Sequence, residues 1–473
     1  MTRPLAPPLL LLALAFAWAA FAHAAVFPED WSVSLLAIGL ASLLYWFRTP
    51  RIHLAPAIEP WLKWPAILLV CYAAFQLAPL PLGLLDLISP TRAELARALD
   101  RVAPGIRYAP VSAVPSATLA HVLRFAGYGA VFFLVRELVW QSWERPWRVT
   151  LPLLAVATAE AVLGMVQYFL NPGAGQATGT YINRNHFAGL MEMVLPLAVM
   201  YAAAVRRRGS SRRHSPAAPA LRACILLACA GLMLAAAIYS LSRMGFLAAL
   251  AGLFVTGALA AGANFGPRAR RITGAAVVAA IALGTVFLPP DRLIERFAFL
   301  ASADEISSDT RYEIWRETLD LIRAYPAVGC GLGAYESVFS KYQRVAPLNT
   351  VDYAHNDYLQ YLAELGLVGF LIAAAFIAAV VVSTLRAVSV CWDPEERYLA
   401  VASLGAMAAI GLHSLVDFNL YMPANAMALA WIAGIGCGVE NVGRRASGGW
   451  PSSGIRGVVD LATAPVAPEE RAG

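Results

Sequence analysis

The polar residues that could do chemistry form five short clusters, each beside an apolar stretch of sequence. The clusters are Asn183-Arg184-Asn185-His186, Ser242-Arg243, Arg311 within 309–315, His355-Asn356-Asp357, and His413 with Asp417. Ionisable groups at membrane depth are costly, so such residues need a structural or functional reason. Arginine binds phosphate through a planar fork that stays charged, and histidine can exchange a proton near neutral pH. Together the clusters indicate a site for a phosphorylated substrate beside a proton-transfer group.

The arginines also have ordinary structural explanations. Arg184 and Arg243 could reach lipid headgroups at the ends of apolar helices. Arg311 could instead pair with Asp309 or Glu313 along the same helix. The phosphate hypothesis is favoured because the three arginines are expected at one face of the membrane, where planar guanidinium groups suit a diphosphate.

The histidines and carboxylates leave further alternatives open. His413 and Asp417 are four residues apart, share a helix face and could form a purely structural pair. A metal site from His355, Asp357, His413 and Asp417 is conceivable, but no spacing demands it. The six cysteines contain no CxxC pair, so we predict no disulfide framework and no metal–thiolate site. No metal and no other cofactor are expected at the site, because the arginines could bind the diphosphate without a cation. Glu160 and Glu192 lie inside apolar stretches; each could hold an arginine or be protonated, and neither is assigned a catalytic role.

The elements that must position these clusters are membrane-spanning helices. Of the 473 residues, 59% are hydrophobic and 14% are charged, whereas soluble domains carry about 25% charged residues. The apolar residues come in stretches of about 20, the length of a transmembrane helix. Two-residue alternation is absent, which argues against an outer-membrane barrel. The composition therefore predicts an all-α, polytopic integral membrane protein and disfavours a nucleic-acid partner.

We predict about twelve transmembrane helices of this length. They are expected at 6–26, 31–47, 64–84, 118–139, 149–170, 186–205, 220–241, 244–263, 273–289, 364–385, 398–416 and 421–439. Residues 1–25 also have the features of a secretory signal, with Ala22-His23-Ala24 as a cleavage site. A retained first helix is favoured because the apolar run is long for a signal core.

Arginine-rich short loops predict the orientation of these helices. Basic segments such as 206–213 and 268–271 are expected in the cytoplasm, because short positively charged loops are retained inside. Both termini are then cytoplasmic, and all five polar clusters lie at the outer face. The predicted organisation is helices 1–9 in 1–289, a large periplasmic loop at 290–363, helices 10–12 in 364–440 and a disordered cytoplasmic tail at 441–473.

The large loop has helical signals of its own and is predicted to form a helical cap. Thr310-Arg311-Tyr312-Glu313 has a capping-box pattern. Apolar residues at Tyr312, Trp315, Leu319 and Leu321-Ile322 then predict an amphipathic helix over 312–324. Pro326 and three glycines should end it, and shorter helices are expected at 334–344 and 351–363.

The five clusters, in their order and spacing, resemble the O-antigen ligase family, which also takes in O-antigen polymerases and pilin O-oligosaccharyltransferases. The resemblance covers about 150–435. It rests on Asn183-Arg184-Asn185-His186-Phe187-Ala188-Gly189, Ser242-Arg243, the segment from Arg311 to Gly333, His355-Asn356-Asp357-Tyr358 and His413-Ser414-Leu415-Val416-Asp417-Phe418. It implies a helical membrane glycosyltransferase fold of the GT-C type, in the bacterial inner membrane, with a periplasmic active face.

The resemblance also implies the substrates and the roles of the site residues. The donor would be a glycan on undecaprenyl diphosphate, transferred without a metal ion to a glycolipid or glycan acceptor among the membrane lipids. The diphosphate would be bound by Arg184, Arg243 and Arg311, and the catalytic residue would be His355. Supporting residues would be Asn183, Asn185, His186, Asn356, Asp357, His413 and Asp417.

The acceptor is left open between several hydroxyl groups. In this chain His355-Asn356-Asp357 is followed only by Gly366 and Gly369, a loose match to the ligase pattern. Lipid A core, as in a ligase, is ranked first, another lipid-linked glycan, as in a polymerase, second, and a protein Ser or Thr remains a further alternative. A transporter or flippase would also have many helices, but no internal repeat is visible and the charges cluster at one face, which favours an enzyme.

Overall fold

The computed structural model describes residues 6–49, 55–171, 173, 175–211, 217–262, 308–345, 350–391 and 393–446. In chain order its elements are α1 (Ala6–Phe21), α2 (Pro28–Arg48), α3 (Pro60–Phe75), β1 (Pro79–Pro81), α4 (Leu82–Ile88), α5 (Pro90–Asp100), β2 (Tyr108–Pro110), α6 (Pro115–Gln141), α7 (Leu151–Leu170), α8 (Arg184–Ser211), α9 (Ala217–Tyr239), α10 (Arg243–Gly262), α11 (Ser308–Ala324), α12 (Tyr335–Phe339), α13 (Asp357–Val390), α14 (Pro394–His413) and α15 (Pro423–Ala446). Single 3-10 turns lie at His23–Ala25, Pro146–Thr150 and Asn419–Tyr421.

The fold is an all-α polytopic membrane protein, as the composition predicts. Within the described residues, 8 helices are long and apolar enough to cross a membrane, and α1 and α3 are shorter apolar helices. Eleven of the predicted spans correspond to a described helix; the ninth, at 273–289, lies outside the described residues. Proline opens many of these helices, including α2, α6 and α14, because its missing N–H costs nothing in the first turn.

The centre of the helix bundle is formed by α8 and α15, whose residues are mostly buried. α8 packs on α9, α10 and α14, and α15 packs on α6, α13 and α14. α1 belongs to the same core, since its Phe16 ring lies 6.0 Å from the ring of Trp431 in α15. Both side chains are fully buried, which favours a retained α1 over a cleaved signal.

The third predicted span is too long at its far end. The sequence predicts a helix to residue 84, but α3 ends at Phe75 and the chain leaves the bundle. Residues 79–110 form a small lobe in which β1 pairs antiparallel with β2, with Leu80 opposite Ala109, around α4 and α5. Two of the leucines that extended the prediction, Leu80 and Leu82, pack instead, partly buried, against the core of this lobe around Leu85.

The helical cap is present in the described part of the loop, with a different buried face from the one predicted. α11 extends through the predicted helix, but Tyr312 is 63% exposed and Leu319 is 40% exposed. Leu321 is buried as predicted, but the rest of the buried face includes Ile314 and Thr318. The predicted apolar face of α11 therefore differs from its buried face. The prediction used only large apolar residues, whereas the buried face also includes Thr318.

The cap is joined to the bundle at a break in α13. Gly366 has a left-handed φ of 64° and interrupts the helix. The amide groups freed by the break, those of Leu367 and Val368, donate to the carbonyls of Pro326 and Ala327 at 2.9 and 3.1 Å. Gly329 packs against this break so closely that a Cβ on it would overlap the Glu364 carbonyl. The first turns of α13 thus belong to the cap and the rest to the bundle.

Candidate functional site

The loop between α14 and the 3-10 turn, residues 414–418, is the meeting point of three predicted site residues. Arg311 on α11 donates from Nη1 to the Val416 carbonyl at 3.0 Å. Asn356 donates from Nδ2 to the Leu415 carbonyl at 2.8 Å and caps α13 by accepting from the Leu359 amide. Asp357 accepts from the Ser414 hydroxyl at 2.7 Å. The cap and the loop therefore form one unit.

A buried chain of carboxylates and imidazoles runs from the bundle core to this loop. Glu192 on α8 lies 3.0 Å from Nδ1 of His413, at the end of α14. Nε2 of His413 lies 3.9 Å from Asp417, and Asp417 lies 3.5 Å from Nε2 of His186. All four side chains are 4% exposed or less. Charges buried this deeply must compensate one another, so each member positions its neighbour.

His355 lies at the end of this chain, in the extended segment that precedes α13. Its φ of 49° is left-handed, a conformation that costs free energy in a residue with a Cβ and is often found at functional sites. Its ring lies edge-on to Phe418, 4.9 Å between ring centroids, and the His186 ring lies 4.6 Å from the same phenyl group. Phe418 thus holds both imidazoles at one side of the loop.

The surroundings of His355 control its charge. Burial, together with the nearby Arg311 and His186, lowers its pKa to about 4, although Asp417 opposes them. His355 is therefore neutral at pH 7, with a buried Nδ1 that has no hydrogen-bond partner among the described residues. Burial alone would raise the pKa of Asp417, but His186, His413 and Arg311 hold it below its ordinary value. A neutral imidazole beside an ionised carboxylate can accept a proton.

Arg184 opens α8, two residues before His186. It is 6% exposed and donates from Nη1 to Oε1 of Gln176 at 2.5 Å. Gln176 belongs to the glycine-containing loop before α8, and the next residue of that loop, Ala177, donates its amide to the carbonyl of Tyr239 at the end of α9. The Asn183 side chain accepts from the amide of Asn185 at 2.8 Å and so caps the first turn of α8.

Arg243 opens α10 after the tight corner that the sequence predicts. Ser242 caps the helix by accepting from the Gly245 amide at 3.1 Å, and Leu241 takes a left-handed φ of 57° to make the turn. A Cβ on Gly245 would overlap the methyl group of Ala188 in α8. The first turns of α8 and α10 are therefore in close contact, and Arg184 and Arg243 occupy adjacent helix ends.

Several structural alternatives for these residues are not observed. Arg311 does not pair with Glu313, which lies 3.8 Å from Arg316 instead. Neither buried glutamate contacts an arginine within the described residues: Glu160 accepts from the hydroxyl of Thr180 at 2.6 Å, and Glu192 holds His413. Of the two alternatives for these glutamates, the pairing with an arginine is not observed in the described part of the chain, because Thr180 and His413 are their partners.

The residues of the conceivable metal site do not converge. Oδ2 of Asp357 is taken by the Ser414 hydroxyl and the Leu420 amide, while Asp417 faces His186 and His413. In the part of the chain that is described, no group of three or more His, Cys, Asp or Glu side chains has an arrangement suited to a metal ion.

Sequence reasoning missed a buried amide network beneath His186. Asn425 in α15 donates from Nδ2 to the His186 carbonyl at 2.8 Å and to the Asn419 side chain at 2.9 Å, and it accepts from the Tyr181 hydroxyl. Asn419 and Asn425 are fully buried. The sequence does contain a signal for this network, because Asn425 lies inside an apolar stretch, six residues after Asn419. Burying two side-chain amides costs free energy unless both are hydrogen-bonded.

Comparison with known proteins identifies the domain in which part of this site lies. Residues 228–374 match the O-antigen ligase family. This match supports the resemblance to the O-antigen ligase family that the motifs carry. It includes Arg243, Arg311 and His355, whereas Arg184, His413 and Asp417 lie outside the matched residues. No curated protein matches the chain.

Proposed function

We propose that this protein transfers a glycan from undecaprenyl diphosphate to a hydroxyl group of lipid A core, at the periplasmic face of the bacterial inner membrane. The observation that carries the proposal is the neutral imidazole of His355 beside the ionised Asp417, with a buried Nδ1 that has no hydrogen-bond partner among the described residues. Arg311 contacts the loop of Asp417 from the cap, and Arg184 and Arg243 open the adjacent helices α8 and α10. The orientation follows from the positively charged short loops, which leave both termini in the cytoplasm.

In the proposed reaction the acceptor hydroxyl oxygen attacks the anomeric carbon of the donor sugar. A new glycosidic C–O bond forms as the bond between that carbon and the diphosphate oxygen breaks. The hydroxyl proton passes to the imidazole of His355, and Asp417 stabilises the imidazolium that results. The electron pair of the broken bond leaves with the lipid diphosphate, and a single displacement inverts the anomeric carbon.

The arginines would stabilise the leaving diphosphate. Arg184 and Arg243 begin adjacent helices, so their guanidinium groups and the first amides of α8 and α10 favour an anion at the same end of the bundle. Arg311 adds a charge from the cap side and faces the loop that carries Asp417. Planar, permanently charged groups can neutralise the developing charge without a metal ion.

The central test separates donor binding from chemistry. We expect His355→Ala to keep donor affinity near wild type while kcat falls about 10²- to 10⁴-fold, the usual effect of removing a general base. Arg184→Ala and Arg243→Ala should weaken donor binding and slow turnover together, each by about 10- to 100-fold, because each removes a charge-assisted contact. Binding of lipid-linked donor and single-turnover rates in proteoliposomes would measure both effects.

Arg386 provides a matched control for the arginine variants. It lies on α13 with its guanidinium carbon 4.6 Å from the centroid of the Trp61 ring, away from the candidate site. Arg386→Ala removes the same charge from a helix of the bundle and should leave donor affinity unchanged. If His355→Ala binds donor poorly but turns over normally at saturation, His355 is a donor ligand and the assigned role is wrong.

A deletion strain would separate ligase from polymerase activity. Loss of a ligase blocks attachment to the acceptor, so full-length glycan chains should accumulate on undecaprenyl diphosphate. Loss of a polymerase should leave single repeat units on the carrier instead. Electrophoresis of the lipid-linked fraction, with the plasmid-borne gene and its His355→Ala form as controls, measures which species accumulates; single repeat units would contradict the ligase assignment.

A further inference from the structure

The lobe at residues 79–110 carries exposed aliphatic side chains that have no role in the proposed reaction. Leu84 and Leu87 on α4 and Leu95 and Leu99 on α5 are all exposed, and Leu87 is 80% exposed. Val102, two residues after the end of α5, is 84% exposed. The two leucines of each helix lie three or four positions apart, so each pair shares a helix face. Single exposed leucines are ordinary on a protein surface, but several in one small lobe indicate a contact surface.

α5 keeps its exposed leucines apart from its charged and its packed residues. Ala93 is fully buried in the core of the lobe. Arg97 lies two positions from both Leu95 and Leu99, and residues two positions apart do not share a helix face. Nη2 of Arg97 lies 3.0 Å from Oδ2 of Asp86 on α4, so this ion pair joins the two helices. The leucines are therefore engaged neither in the lobe core nor in the ion pair.

The lobe begins where α3 leaves the bundle, and α3 is short for a membrane span. Its 16 residues rise about 24 Å at about 1.5 Å per residue, whereas the hydrocarbon core is about 30 Å thick. Near its first turn, Lys63 lies 5.0 Å from the centroid of the Trp64 ring, and both residue types are typical of a membrane interface. At its other end, Gln76 is fixed by hydrogen bonds to the junction of cap and bundle. A span shorter than the hydrocarbon core brings the residues that follow it to the depth of the outer leaflet.

We propose that the lobe is an interfacial membrane anchor, in which the exposed leucines of α4 and α5 insert among the phospholipid acyl chains of the periplasmic leaflet. Their surface continues the exposed side of α3, whose last residue, Phe75, is itself exposed. Arg107 and Tyr108, which are also exposed, supply the side chains that typically lie among lipid headgroups.

The composition of this surface favours lipid over a protein partner. Its exposed apolar residues on α4 and α5 are leucines, whereas the cores of protein interfaces concentrate aromatic, methionine and arginine side chains. The proposal does not depend on glycan transfer, so its failure leaves the proposed function untouched.

An anchored lobe would support the cap from the bilayer. The Thr91 hydroxyl donates to the carbonyl of Ala324, the last residue of α11, at 2.8 Å. Val328, which follows α11, is part of the core of the lobe. The lobe therefore contacts the cap directly, and the depth of its insertion would set the height of the cap above the membrane.

Spin labels on single cysteines, with the native cysteines replaced, test the depth of the lobe. The full-length protein is placed in vesicles of phosphatidylethanolamine and phosphatidylglycerol, and collisions of each label with oxygen and with a water-soluble nickel chelate are measured. The oxygen-to-nickel ratio at Leu87→Cys and Leu99→Cys should exceed that at Ser340→Cys, on the exposed cap, by about tenfold or more, because hydrocarbon excludes polar solutes. Leu68→Cys on α3, an exposed position of an apolar helix, gives the reference ratio for lipid contact.

A charge placed in the lobe should expel it from the bilayer. Leu87→Asp should lower the oxygen-to-nickel ratio of a label at Leu99 towards the Ser340 value. Tyr312→Asp, a matched change at an exposed position of the cap, should leave that ratio unchanged. If the labels at Leu87 and Leu99 meet the nickel chelate as freely as the Ser340 label, the lobe stands in water and the proposal is overturned. Labels shielded from both reagents would show that protein covers this surface, either a second copy or a segment outside the described residues, and would also overturn it.

Discussion

At the scale of single residues, the sequence indicates which side chains could take part in the reaction, but not which other side chains they contact. His355, Asp417 and the arginines stand out because charged groups beside apolar stretches need a reason. The pairing of Glu192 with His413 spans a sequence separation of 221 residues, and no spacing rule relates positions so far apart. The left-handed backbone conformation of His355 is equally unpredictable from the sequence, since neither histidine nor its neighbours in the chain require a positive φ.

The pH dependence of the free enzyme should report the environment of His355. A depressed pKa keeps the imidazole neutral down to about pH 4, so the acidic limb of kcat/KM should lie near that value and not near the ordinary histidine value of about 6.5. Asp417 raises the pKa of His355, so Asp417→Asn should move the limb to lower pH and reduce kcat, because a weaker base accepts the proton less readily.

The control for this prediction is Glu160→Gln, which removes a different buried carboxylate that holds Thr180 and, among the described residues, contacts no histidine. The acidic limb of this variant should stay where it is in the wild type. Rates of donor consumption in proteoliposomes between about pH 3.5 and 8, a range that brackets the shifted and the ordinary histidine values, would measure all three profiles. An acidic limb near 6.5 in the wild-type protein would contradict a buried, neutral base.

At the scale of elements, long apolar helices are predictable and their breaks are not. An apolar stretch of about 20 residues leaves a helix as the one way to satisfy the backbone in lipid. The end of α3 at Phe75, the lobe after it and the break in α13 depend instead on hydrogen bonds from distant segments. Gln76 shows this clearly: its side-chain amide donates to the carbonyls of Val328 and Glu364, both at 2.9 Å.

The break in α13 makes a specific stability prediction. In Gly366→Ala the new methyl group would sit at a positive φ and overlap the backbone of Ala327 and Gly329. The left-handed conformation alone costs about 1–2 kcal/mol in a residue with a Cβ, so the apparent Tm should fall and activity should fall with it as the cap shifts. Gly231→Ala on α9 is the control, because nothing lies within 4 Å of its Cβ. Thermal unfolding in detergent would measure both; equal Tm values would contradict the argument.

At the scale of the whole molecule, the proposal depends on which side of the membrane the cap faces. With native cysteines replaced, Ser340→Cys on the exposed cap should react with a membrane-impermeant maleimide in spheroplasts. Arg207→Cys, in the basic segment at the other end of α8, should react only after the inner membrane is opened, because short positive loops stay in the cytoplasm. The reverse pattern would place the site on the wrong side for a periplasmic glycosyltransferase.

The cap is fixed to the bundle by the Gly366 break, by the fully buried Gln76 and by Glu364, which accepts from the Gly333 amide at 2.7 Å. These buried hydrogen bonds hold the described part of the cap against the bundle. We therefore expect the lipid-linked substrates of the proposed reaction to arrive sideways, by diffusion within the bilayer and between the helices. Encounter becomes a two-dimensional process, so the turnover rate should follow the mole fraction of donor in the membrane. Diluting the proteoliposomes in buffer would leave it unchanged, whereas adding inert lipid to them would slow it.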